Sequence, residues 1–174
     1  MPRTRCWALA LALALALALA LVAGAAHSQL NVPDPDWKEV EAPAPAPLRV
    51  DRLVRIDVPQ STLRFGVDPA SVALSSDGIV RYVVVATSSG AVNAFYEGIR
   101  CNTAETKVYA RHNPDSGWVP VPDGQWRPLH EPRSPRHSLV IARTGACLGN
   151  APNQSVAQIV RDLGGNVNWR FWNN

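Results

Sequence analysis

The residues of this sequence able to do chemistry are few and widely spaced. His112, His130 and His137 are the histidines beyond residue 28, and no two of them stand at the close spacing that sets two metal ligands on one helical face. A site built from them and Glu131 would need distant segments to meet, so surface or packing roles are the default, and neither metal nor cofactor is expected. G-x-S-x-G, S-x-x-K and H-E-x-x-H arrangements are absent, which removes the readily recognised serine and zinc hydrolases. Ser88-Ser89-Gly90 has the composition of a turn. The densest polar cluster is Tyr96-Glu97-Gly98-Ile99-Arg100. On a regular strand Glu97 and Arg100 fall on opposite faces, whereas a bulge at Gly98 would bring them together. The plainer reading is a surface ion pair. The sharper one is a polar groove lined by Tyr96, Glu97 and Arg100 with Arg136 and His137 from a later helix.

The elements that must position these residues begin with an N-terminal export pattern. Arg3 and Arg5 precede an apolar run of mainly Leu and Ala from Trp7 to Val22, and small residues follow at Ala23, Ala25, Ala26 and Ser28. That order is the mark of a cleavable secretory signal over residues 1–28. An uncleaved anchor is the rival reading, but no Lys or Arg follows the run before Lys38. Cys6 stands ahead of the run, where it cannot carry a lipid, so no permanent membrane anchor is expected. Cleavage removes Arg3 and Arg5 from the 17 basic residues and none of the 14 acidic ones, so the net charge falls from +3 to about +1. With no run of Lys or Arg left, nucleic-acid binding is not expected.

Loss of Cys6 leaves Cys101 and Cys147 as the cysteines of an exported chain. An intramolecular disulfide is the expected outcome in an oxidising compartment. Residues 29–47, with Ala42-Pro43-Ala44-Pro45-Ala46-Pro47, read as an extended proline-rich linker, or as a docking segment anchored by Trp37. Residues 48–174 are enough for one domain.

Within that domain, Val54, Ile56 and Val58 alternate with Arg55 and Asp57 as a first strand, and Val72 and Leu74 open a short second piece. Ser75-Ser76-Asp77-Gly78 reads as a turn before a central strand, Ile79 to Thr87. Val92–Cys101 and Thr106–Arg111 supply the next two strands, and Trp118, Val119 and Trp126 flank a turn at Asp123-Gly124. Ser134-Pro135 predicts the start of a helix running from Arg136 to about Ala146. Ser155 and Gln158 form a capping box for a second helix with an apolar face of Val156, Ile159, Val160 and Leu163, ended by Gly164. Val167, Trp169 and Phe171 predict a closing strand. The fold class is α+β: an antiparallel meander sheet, C-terminal helices packed on one face, and a closing C-terminal strand. The disulfide would staple the helical layer to the sheet. Trp118, Trp126, Trp169 and Trp172 lie outside the central strands, as core cover or as an aromatic patch.

Tyr82-Val83-Val84-Val85, Ser88 through Asn93, Tyr96-Glu97-Gly98-Ile99-Arg100-Cys101, Glu105 and Lys107-Val108-Tyr109-Ala110 together resemble the cryptic neisserial protein-like family of small exported proteobacterial proteins. His137 and Cys147 stand where that resemblance places a helix and a second cysteine. It implies export, a single fold and the disulfide pair, and supplies no reaction, ligand or catalytic residue. The function expected is a non-enzymatic periplasmic module that binds or assists an envelope protein or ligand. The alternatives are an envelope hydrolase with an unrecognised site and a structural or stress-related stabiliser.

Overall fold

A computed structural model describes residues 34–165. The predicted signal peptide and the predicted closing strand at Val167–Phe171 lie outside the described residues. The sheet is ordered β1 (Val54–Ile56), β2 (Arg64–Val67), β4 (Ile79–Thr87), β5 (Val92–Arg100), β6 (Glu105–Asn113) and β7 (Gly117–Pro120). Two short strands attach at its margins: β3 (Ala73–Leu74) to β4, and β8 (Arg127–Pro128) to β6. Every pairing among the described residues is antiparallel. The centre is the pair β4 and β5, in register from Ile79↔Arg100 to Thr87↔Val92 without interruption. β4 is buried on both faces except at its last residue, as its nearly unbroken β-branched and aromatic composition requires.

Apart from the two-residue strands, one strand escaped the sequence pattern. β2 lies between β1 and β4, but Gly66 interrupts its apolar run. The glycine is there for space, because a Cβ would sit 2.7 Å from the Leu53 Cβ.

The first face of the sheet carries the helical layer. Val80, Tyr82, Val84, Ala86 and Ile99 pack with Ile141, Ala142, Ala146, Ile159 and Leu163 in one buried cluster. α1 spans Arg136–Ile141 and continues as a π-helical turn over Ala142–Ala146, so the predicted segment is helical but wider in its second half. Ser134 does not cap it. Its hydroxyl donates to the Pro128 carbonyl at 2.7 Å, and Pro135 takes the cap position. α2 (Val156–Leu163) follows, with Ser155 accepting from the Gln158 amide at 3.2 Å. Only half of the expected capping box forms, since the Gln158 side chain donates instead to Asp162. α2 rests directly on the π turn at Gly145, where a Cβ would stand 2.8 Å from the Leu163 nitrogen. The π turn leads into the small hairpin of β9 (Cys147–Leu148) and β10 (Ala151–Pro152). The Cys101–Cys147 disulfide, with a Cα–Cα distance of 5.7 Å, joins that hairpin to the residue after β5.

The second face is covered by residues 37–48, all but Leu48 from the segment read as a linker, and the tether reading gives way over residues 37–47. Ala42 and Leu48 pack against Val83, Val85, Ala94, Tyr96 and Ala110. Trp37 Nε1 donates to the Asp77 carbonyl (2.9 Å), the Val40 amide to Asp77 Oδ2 (2.9 Å), and Trp118 Nε1 to the Ala46 carbonyl (2.9 Å). Three of the six residues from Ala42 to Pro47 are prolines without an N–H, so the segment forms no ladder and is held through side chains. Composition reports the missing ladder and not the strap.

Candidate functional site

Glu97 is the centre of the first-face site. Alternation along β5 turns Phe95, Glu97 and Ile99 toward the helices, and the register sets Glu97 opposite Tyr82. At 1% exposure, a carboxylate is strongly destabilising unless its oxygens are satisfied. Three side chains satisfy it. Tyr82 donates to Oε2 at 3.1 Å, Ser138 donates to Oε2 at 2.9 Å, and His137 Nε2 lies 3.0 Å from Oε1. Burial first, and then the neighbouring Glu97 charge, push the Tyr82 phenol well above its usual range, so it stays a donor. Glu97 also selects the His137 tautomer that carries its proton on Nε2.

Above this pair opens a cleft of about 350 Å³. The His137 ring stacks between two aromatics, 4.9 Å from Phe65 and 6.3 Å from Phe95. Leu63, Ala86, Val108 and Pro135 complete the apolar walls, and Asn93 and Arg111 are its exposed polar residues. Arg111 reaches the cleft through a bulge. Phe95 pairs with Arg111 and Tyr96 with Ala110, but Glu97 pairs with Val108, which leaves Tyr109 as the extra residue in β6. Tyr109 and Ala110 both belong to the second face, and parity beyond them is reversed. Without the bulge, Arg111 would point away from Phe95.

Of the five residues expected to share a groove, Glu97 and His137 meet and the other three do not. Tyr96 lies on the second face against Tyr109, with ring centroids 5.5 Å apart. Arg100 is also on that side, 3.7 Å above the Trp37 ring and 3.7 Å from Glu105. Arg136 is exposed and reaches Gln60 at 3.5 Å. For Tyr96 and Arg100 the cause is strict alternation: the β4–β5 ladder is unbroken at Gly98, and the bulge falls on β6. Gly98 has a packing reason of its own, since a Cβ there would meet Tyr109 at 2.8 Å and Ile79 at 2.9 Å. Tyr82, Ser138, Phe65, Phe95 and Arg111 were missed by sequence reasoning. Parity with Glu97 along β4 and β5 could have found Tyr82 and Phe95, but nothing local announces the bulge that brings in Arg111.

A second polar centre lies across the sheet. Arg81, 1% exposed, donates to Asp77 Oδ2 at 2.9 Å and to the Val40 carbonyl at 2.8 Å, and also bonds Ser75. Burial raises the Asp77 pKa, but bonds from Arg81, Ser75 and the Val40 and Ile79 amides prevail and hold it at about 2. Glu39 accepts from Lys107 (3.0 Å), Tyr109 (2.8 Å) and Trp126 (3.0 Å). These bonds outweigh its own burial and lower its pKa.

His112 stands edge-on to Trp118 at 5.2 Å. Among the described residues no group of three or more His, Cys, Asp or Glu side chains is placed to hold a metal ion. Nor is any described helix long and apolar enough to cross a membrane.

The sequence model of the CNP1-like family matches residues 32–164. That range takes in the strap as well as the sheet and both helices. No curated protein and no solved structure matches the chain.

Proposed function

The chain belongs to the CNP1-like family, and from that premise we propose that it is an exported, non-enzymatic binding module of the cell envelope whose ligand site is the first-face cleft. The observation that carries this reading is the cleft itself: apolar walls of Phe65, Phe95, Leu63 and Val108 over a fixed polar floor of Glu97 and His137. Apolar concavity with a few oriented polar groups is the usual design of a small ligand site. The chemistry of the floor favours binding over turnover. Ser138 uses its hydroxyl hydrogen on Glu97, so His137 does not activate it as a nucleophile. Export is supported by the N-terminal pattern of basic residues, apolar run and small residues, and by the disulfide, which suits an oxidising compartment.

The test is a photo-crosslinking residue placed at Leu63, 39% exposed beside the cleft, in envelope-localised protein. One discrete adduct is expected, abolished by Asn93→Trp, which fills the rim, and absent when the crosslinker stands at Val119 on β7. An adduct indifferent to Asn93→Trp, or substrate turnover by the purified protein that His137→Gln abolishes, would sink the proposal.

A further inference from the structure

The cleft has a polarity that its walls alone do not explain. Its floor is internally satisfied, because the Glu97 oxygens are met by hydrogen bonds with His137, Ser138 and Tyr82. Its rim is not. Arg111 lies 5.9 Å from the Phe95 ring centroid, and among the described residues it pairs with no acid. Asn93 adds an exposed amide to the same rim. The bulge at Tyr109 is what turns Arg111 to this side, and bulges beside functional sites commonly re-aim one side chain in this way.

Resting on the reading of the cleft as a ligand site, we propose that its ligand is the C-terminal residue of another polypeptide, with an aromatic or large apolar side chain and a free carboxylate. The side chain enters the cleft over the stacked Phe65, His137 and Phe95 rings, against Leu63 and Val108. The carboxylate stays at the rim, where Arg111 offers paired N–H donors and Asn93 a further one. Size agrees with one residue and not with a folded element: about 350 Å³ is near the lower end of ligand clefts, which run from roughly 300 to 1,000 Å³. Leu63, exposed beside the same opening, gives the preceding residues an apolar surface. The Glu97 charge disfavours a carboxylate on the floor, which fixes the orientation with the acid outward.

The test uses the whole mature protein and a fluorescent hexapeptide ending in Phe, compared as the free acid and as the C-terminal amide. Saturable anisotropy is expected for the acid, with at least tenfold weaker binding for the amide. Arg111→Gln should lose the acid by a similar factor and leave the amide unchanged. Arg55→Gln, which removes the same charge from exposed β1, should alter neither. Equal binding of acid and amide, or an unchanged acid affinity in Arg111→Gln, overturns the carboxylate assignment and leaves the cleft as a site. Free 3-phenylpropionate binding as tightly as the peptide overturns the polypeptide source. No binding of either peptide, together with a Leu63 crosslink that survives Asn93→Trp, overturns both this proposal and the reading beneath it.

Discussion

Each face of the sheet gathers three side-chain donors around one carboxylate, and the two do different work. Glu97 on the first face is 1% exposed beneath a disulfide-tied helical layer. Glu39 on the second is 22% exposed on a proline-rich strap, with Lys107, Tyr109 and Trp126 as donors. The first set of donors orients an imidazole at the bottom of a cleft. The second fastens a segment that has no ladder of its own. Similar hydrogen-bond counts therefore have different consequences, because water can replace lost partners at Glu39 and is excluded at Glu97.

The largest effect is expected at Glu97. Glu97→Ala leaves His137, Ser138 and Tyr82 without their acceptor inside the core and should cost about 3–5 kcal/mol in urea unfolding. Glu39→Ala should cost about 1 kcal/mol, since its three donors can turn to solvent. Equal losses would show that the two centres are equivalent and that burial is not the distinction.

Next comes the disulfide. It closes a separation of 46 residues, for which chain entropy gives roughly 4 kcal/mol and measured effects are often nearer 2. Because the bridge runs from the end of β5 to the hairpin after the π turn, reduction should release the helical layer selectively. Hydrogen exchange should speed in α1 and around His137 and Ser138 while the β6 amides beneath the strap keep their protection. Uniform loss would mean that the two faces unfold together.

Acid should act on the opposite face. Asp77 is held at about 2, well below the ordinary aspartate range, so its folded form binds protons less readily than its unfolded form. The stability it contributes is present above about pH 4 and is lost as pH falls from 4 toward 2, by roughly 2 kcal/mol. Glu39, also lowered, adds in the same direction. A melt at pH 3 should therefore show Trp37 and Trp126 fluorescence changing before the signal of the helical layer. Asp77→Asn should flatten that dependence, and an unchanged pH profile would remove Asp77 as its source.

How much of this was legible in the sequence follows the same division. The central hairpin was readable because Ile79–Thr87 and Val92–Arg100 are long, apolar and joined by a polar turn. α2 was readable from Ser155 and its apolar spacing, and the disulfide from the cysteine arithmetic. Of the groove, Glu97 and His137 were named for the site they share, but Arg100 was grouped with them through a bulge placed on the wrong strand, Tyr96 as a neighbour on the same strand and Arg136 as a neighbour of His137 on the helix. The β6 bulge has no local mark, because Lys107-Val108-Tyr109-Ala110 reads as regular alternation. The strap was hidden for a different reason: a proline-rich composition says that backbone bonds are missing, and it is silent on Trp37, Glu39 and Val40 docking through side chains and single carbonyls.

The smallest effect offers the finest division of the two faces. Arg100 lies 3.7 Å above the Trp37 ring and is 13% exposed, so it joins the strap to the end of β5, next to Cys101. A cation over indole in such a setting is worth about 1 kcal/mol. A double-mutant cycle of Trp37→Ala and Arg100→Met should return a coupling of that size while cleft binding stays unchanged, because both side chains lie away from Glu97. If coupling is absent, the strap end at Trp37 is held by the Glu39 and Asp77 contacts without help from Arg100, and Glu39→Ala should then expose Tyr96 and Tyr109 to solvent quenching. If coupling is present and cleft binding also falls, the strap is transmitting strain along β5 to Phe95, and the two faces act as one unit.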